Sequence, residues 1–230
     1  MRFFIVLLLT VALAASAVLG ESTPQRPLSS KLKDDTIVID RNVFNTADTP
    51  FRPHNGTKPF TNWVGLTLDY SYIQPVFNLI MSTESIANGT LRTRGEAHIT
   101  VITPPEFDRV LRPAGVTINE LDDLATAGPQ RNRLQKAKFG MECLGRVQVV
   151  TKPKNVFQQA LQIILKEYED LVEYRWDVFN LFVQKGGNPA LFDPENFSPH
   201  ITLGYRHRDI FEGDGVFKRK NACIRNIVVE

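Results

Sequence analysis

Ala97-His98-Ile99-Thr100-Val101 and Pro199-His200-Ile201-Thr202-Leu203 are one pattern occurring twice, about a hundred positions apart. Both stretches are built of strand-favouring residues, and on a strand the side chains at i and i+2 leave the same side. His98 and Thr100 therefore share a face, as do His200 and Thr202. The apolar residues between them, Ile99 and Val101 or Ile201 and Leu203, point the other way and anchor each strand in a core. Two imidazoles with two hydroxyls beside them have the makings of an acid/base site without a metal. Two such strands so far apart suggest a duplicated unit whose halves face each other. The expected fold class is α+β, a two-lobed duplicated sheet with outer helices and a central cleft.

Outward from the first copy, Trp63-Val64-Gly65-Leu66-Thr67-Leu68 reads as a buried strand. Pro75 fits the first turn of a helix whose face is Val76, Leu79, Ile80 and Ile86, and Asn88-Gly89 supplies its stop. The first motif strand runs from about Glu96 to Thr103 and ends at Pro104-Pro105. A short helical piece, Glu106 to Leu111, follows it. Thr117-x-x-Glu120 then reads as a capping box opening a helix with Leu121 and Leu124 inside and Gly128-Pro129 at its end. Phe139 to Val150 predicts a strand or a bent pair of strands. From Asn155, with Gln158 as an amide-based capping box, the spacing of Phe157, Leu161, Ile164, Tyr168, Leu171, Phe179 and Phe182 predicts one long helix. It ends at Gly186-Gly187 and Pro189, its length of nearly thirty residues leaves room for a break near Tyr174 to Trp176, and its aromatic stripe is read as core-facing. The loop Asn188 to Pro199 leads into the second motif strand, and Ala222 to Val229 makes the last strand.

The first twenty residues stand apart from this fold. Met1-Arg2, the apolar run Phe3 to Leu19 and the small residues Ala14, Ala15, Ser16 and Ala17 have the form of a secretory signal peptide, which places the mature chain outside the cytosol. A membrane anchor is the weaker alternative, because the apolar run is short for a span. Residues 21–59, rich in Ser, Thr, Pro, Asn and Asp, read as an irregular leader with one strand at Thr36-Ile37-Val38-Ile39 and with His54 as a loop histidine. The domain proper is expected over residues 60–230. Asn55-Gly56-Thr57 and Asn88-Gly89-Thr90 are sequons expected to be glycosylated, whereas Asn196-Phe197-Ser198 abuts Pro199 and is set aside. Cys143 and Cys223 fit either one disulfide or two buried thiols.

The net charge is +2, and one less once Arg2 leaves with a signal peptide. That near-neutrality argues against a binder of long nucleic acid. Local basic groups remain: Arg92 with Arg94, Arg206 with Arg208, and Lys218-Arg219-Lys220, the last read as a solvated turn.

His98-Ile99-Thr100-Val101 and His200-Ile201-Thr202-Leu203, in an α+β chain of this size, resemble the two motifs of the 2H phosphoesterase superfamily, which includes cyclic phosphodiesterase and RNA-ligase-like families. The likeness in element order covers roughly Trp63 to the C-terminus. It implies a metal-free, cofactor-free site acting on 2′,3′-cyclic or 2′–5′ phosphodiester bonds. The substrate would be a nucleotide or a short RNA end, with no membrane partner after signal removal and a monomeric enzyme. The chemistry agrees: in-line attack of water needs a base for its proton and an acid for the leaving sugar oxygen. Thr100 and Thr202 would donate to the non-bridging oxygens. Which histidine is acid and which base is left open. Tyr205 and, behind it, Arg206 are the candidate substrate-binding residues, with Arg208 ranked alongside Arg206.

Three other readings compete with this one. A metal hydrolase lacks His-x-His, Cys-x-x-Cys or His-Glu-x-x-His spacing, and a serine hydrolase lacks Gly-x-Ser-x-Gly. The functional alternative is a secreted nucleotide- or glycan-binding module with a catalytically inactive fold of the same family.

Overall fold

The computed structural model describes residues 36–83, 91–127 and 132–230. The expected signal peptide, Ile86, the Asn88 sequon and the Gly128-Pro129 stop lie outside the described residues. The fold is α+β, with the seven strands in one sheet.

In chain order the strands are β1 (Thr36–Ile39), β2 (Val64–Leu68), β3 (Ala97–Ile102), β4 (Gly140–Thr151), β5 (Val156–Lys166), β6 (His200–Tyr205) and β7 (Cys223–Val229). In the sheet they lie in the order β1-β7-β4-β5-β6-β3-β2. Every pairing is antiparallel except that of β1 with β7. The two lobes are unequal: β2 and β3 form one and the other five strands form the second. The motif strands β3 and β6 meet where the lobes join, through a single paired position, Ile99 with Ile201.

The helices are α1 (Tyr70–Thr83), α2 (Pro104–Glu106), α3 (Ile118–Thr126) and α4 (Glu169–Gln184). Ile73, Val76 and Ile80 of α1 and Leu171, Tyr174, Val178 and Phe182 of α4 recur at helical spacing and enter one core with Ile99 and Ile201. The helices exchange lobes. The first, although it links β2 to β3, packs on β6 and β1, and the fourth, although it links β5 to β6, packs on β3.

Several expectations are corrected. The long helix from Asn155 is two elements. Val156–Lys166 is a central strand, buried from Gln158 to Leu165, so both of its faces are apolar or sequestered and its spacing mimics a helix. Asn155 is no cap: at φ 50° it is a left-handed turn residue in the β4–β5 hairpin. The fourth helix, only 16 residues long, has no need of a break and runs straight through Tyr174 to Trp176. Pro75 is interior to α1, which starts at Tyr70 with Asp69 accepting from the Ser71 amide at 2.9 Å. Leu79 is 42% exposed and belongs to the outer face.

The leader is also less loose than expected. From Thr36 it adds β1 to the sheet and buries Ile37, Ile39 and Val43, so the domain starts well before residue 60. The Thr117/Glu120 capping box is formed, as is a second one between Thr103 and Glu106 at the end of β3.

Arg175 ties these parts together. It donates to the carbonyls of Val101 and Pro194 at 2.8 Å and of Asp193 at 3.0 Å, and to Glu106 Oε1 at 2.8 Å. Its guanidinium lies 4.8 Å from the ring centroids of both Phe192 and Phe197. The end of one motif strand and the loop entering the other are held by one side chain.

Candidate active site

The pairing of β3 with β6 decides which side chains meet. With Ile99 opposite Ile201 in an antiparallel register, one step along each strand sets His98 across from Thr202, and one step back sets Thr100 across from His200. The two isoleucines are fully buried in the core. The four motif side chains rise from the opposite face, each half-buried. Each imidazole has its own threonine two residues along the strand and the other threonine across the ladder.

The neighbouring strands build the walls. Thr67 of β2 pairs with His98 and Gly65 with Thr100. Trp63, just before β2, lies against His98 with ring centroids 4.6 Å apart. Gly65 makes this possible, since a Cβ there would come within 2.7 Å of the indole. His54, expected as an ordinary loop residue, stacks almost parallel on that indole at 3.5 Å. The β2 edge is closed by buried Gln135, which bonds the amide and carbonyl of Thr67 at 3.1 and 2.5 Å.

On the other side, the segment 206–222 folds back over the sheet. Ile210 packs with Val147 and Ala160, and Tyr205, Val216 and Ala222 lie at the edge of this small cluster. Arg208 pairs with Asp214 through contacts of 2.6 and 2.8 Å, closing the turn that contains Gly213 and Gly215. Cys223, at the end of the segment, forms a disulfide with Cys143. The segment buries Asp209 and Lys218, whose carboxylate Oδ1 and ammonium are 2.8 Å apart.

Lys218 corrects the sequence reading, which placed it in a solvated turn. Its Nζ lies 3.1 Å from His200 Nε2. His200 Nδ1 lies 2.8 Å from the Ser198 carbonyl, which can only accept, so Nδ1 carries the proton and Nε2 receives Lys218. Asp209 also accepts from the Ile210 amide at 2.8 Å and, weakly, from Thr202 Oγ1 at 3.4 Å. The second motif is thus wired from Ser198 through His200, Lys218 and Asp209 to Thr202. Among the described residues the first motif has one charged side-chain partner, Glu96, whose carboxylate is 3.6 Å from His98 Nδ1.

Charge follows from this wiring. Burial, with Arg94 and His54 adding to it, pulls the His98 imidazole down to about 4. Burial and the Lys218 ammonium pull His200 down to about 3. Burial lowers Lys218 against the opposing pull of Asp209, and it pushes the Asp209 carboxyl up, where the Lys218 ammonium outweighs it and holds the group below its usual value. At neutral pH both imidazoles of the free site are therefore neutral, and beside them Lys218 and Asp209 stand as an ion pair at 2.8 Å.

Of the residues singled out from sequence, His98, His200, Thr100 and Thr202 come together. Tyr205 ends β6 on the same side, with the Arg94 guanidinium 5.8 Å from its ring centroid. Arg206 is not brought to the histidines. It rides 5.5 Å from the Phe157 ring centroid, and alternation along β5 sends Phe157 to the opposite face from Gln162, the partner of Thr202. Arg208 is committed to Asp214. Asn55 is exposed. Asp209 and Lys218 were missed, although Ile210 and Val216 flanking a Gly-Asp-Gly turn were a signal that this stretch doubles back with an apolar side.

Among the described residues no three His, Cys, Asp or Glu side chains are grouped as a metal site would require. A family model described as Swiss Army Knife, 2H phosphoesterase domain, matches residues 62–211. The chain belongs to the 2H phosphoesterase family, and its activity is of the phosphoesterase type. No curated protein and no solved structure matches the chain.

Proposed function

We propose that the protein is a secreted, metal-independent phosphodiesterase that opens 2′,3′-cyclic phosphates of nucleosides or RNA ends by two-histidine acid/base catalysis. The observation that carries this reading is the register of β3 on β6, which sets two imidazoles and two threonine hydroxyls on one face. One imidazole takes the proton of the attacking water, the other protonates the leaving sugar oxygen, and the hydroxyls donate to the phosphoryl oxygens. The reading without metal is supported by the donor set, in which hydroxyls accompany the imidazoles and the nearby Asp209 is already paired with Lys218. Tyr205, with Arg94 beside it, offers a stacking surface for a base. Secretion is supported by the apolar run Phe3 to Leu19 and by the disulfide, which persists in oxidising compartments.

The test is turnover of a panel of nucleoside 2′,3′-cyclic phosphates by the mature protein in EDTA, with phosphorus NMR of the product. Turnover should survive EDTA and fall by about a hundredfold or more in each of His98→Ala and His200→Ala. Binding of the same nucleotides without turnover, little altered in the two variants, would instead identify a binding module.

A further inference from the structure

The two motifs are alike in sequence but not in surroundings, and the difference is Lys218. Its ammonium has three donors. Asp209 Oδ1 takes one at 2.8 Å and His200 Nε2 another at 3.1 Å, and among the described residues no third partner is found. The side chain is 7% exposed. Among the described residues no cation comes within hydrogen-bond range of His98; the Glu96 carboxylate lies 3.6 Å from its Nδ1.

A lone pair that receives an ammonium proton cannot at the same moment receive one from water. An imidazole that took up a proton there would also place two cations side by side. In the free site His200 is therefore capped and neutral. A phosphodiester arriving at the four motif side chains brings an anionic oxygen, a better acceptor for an ammonium than an imidazole nitrogen. We propose that Lys218 is a catalytic residue that exchanges His200 for a non-bridging phosphoryl oxygen, and that this exchange makes His200 the base and leaves His98 as the acid. The inference rests on the phosphodiesterase reading given above. The family match ends at residue 211, so the lysine lies outside the matched span.

The step balances. His200 Nε2, uncapped, takes a proton from water as its oxygen bonds to phosphorus. His98 enters the step as the imidazolium, having taken a proton from solvent; the bond from phosphorus to the leaving sugar oxygen breaks, and that oxygen takes this proton. Lys218 stays protonated throughout, neutralising charge on the phosphoryl oxygen. Asp209 is a positioning residue: fixed by the Ile210 amide, it retains the ammonium while the other contact changes. The other groups that act on the pair are the neutral His98 imidazole and the charged Arg94 and Asp214.

The experiment compares the wild type with Lys218→Met and with the neutral double variant Lys218→Met/Asp209→Asn, which leaves no buried carboxylate unpaired. Each is assayed on uridine 2′,3′-cyclic phosphate and on the two diastereomers of its phosphorothioate, where sulfur replaces one or the other non-bridging oxygen. The wild type should prefer one diastereomer by about tenfold or more, and both variants should lose about a hundredfold in kcat together with that preference. A variant that loses activity but keeps the preference would show that Lys218 acts only through structure, overturning the proposal.

A second arm does not need turnover. Nitrogen NMR of histidine-labelled full-length protein is recorded while inorganic phosphate is added. The His200 Nε2 resonance should move in the wild type and stay in Lys218→Met. If the wild type hydrolyses nothing, the phosphodiesterase reading fails, and this arm still decides the lysine: equal movement in both proteins, or none in either, would refute its exchange.

Discussion

Replacing Arg175 with alanine should unfold this protein far more readily than its distance from the histidines suggests. The side chain is 1% exposed and makes four hydrogen bonds, three to backbone carbonyls and one to a carboxylate that is itself 25% exposed. Water can reach Glu106 after the change, so that partner's share is discounted. The carbonyls of Val101 and Pro194 face buried bonds and lose their donor outright, at roughly 1–3 kcal/mol each. Lost packing between Phe192 and Phe197 adds to this. The total is about 4 kcal/mol, in the range for removing one partner of a buried ion pair. With a urea m-value of about 2 kcal/mol/M, the unfolding midpoint should fall by about 2 M. Arg175→Lys, which keeps the charge but not the fork, should fall about half as far. A midpoint shift below about 0.5 M in Arg175→Ala would refute the reasoning that this residue clamps both motif strands.

The disulfide gives a second expectation. It closes a loop of sequence separation 80, so Cys143→Ala/Cys223→Ala should lose about 4.5 kcal/mol by the chain-entropy relation, measured by urea unfolding without reductant. Acid gives two more. His98 at about 4 and His200 at about 3 both lie below the ordinary histidine value near 6.5, so the unfolded chain binds protons that the folded one refuses. Stability should be complete above about pH 6.5 and decline as pH falls from there toward 4, by about 2 kcal/mol per histidine at pH 5, a decline that His98→Ala and His200→Ala should each reduce. In the same variables, kcat/KM should rise about tenfold per pH unit as pH is lowered from 8 toward 5, because the free enzyme must protonate His98. A flat profile over that range would exclude His98 as the acid.

What could be read from the chain depended on how directly a residue pattern reports its surroundings. The two His-x-Thr strands were legible because alternation is local: it needs only the strand's own geometry to place His98 with Thr100 and His200 with Thr202. Their register on each other is a long-range fact, and only the pairing of Ile99 with Ile201 supplies it. The β5 strand misled for the opposite reason. A strand sequestered on both faces has no period of its own, so Phe157, Leu161 and Ile164 fell by chance at helical spacing. Lys218 was invisible because a lysine between Phe217 and Arg219 is usually solvated, and nothing adjacent in sequence reveals that Asp209 and His200 wait for it in space.

The narrow join between the lobes has a mechanical meaning. Besides the rung at Ile99 and Ile201, the two lobes are stitched by the reciprocal backbone bonds of Arg92 and Tyr205, at 2.8 and 2.9 Å. The join is narrow in hydrogen bonds but not in packing: α1 lies on β6 and β1, α4 lies on β3, and one core runs under both lobes. The gap between His98 and His200 is therefore held like a span between two piers on one foundation, and it cannot change without moving the core that both lobes share.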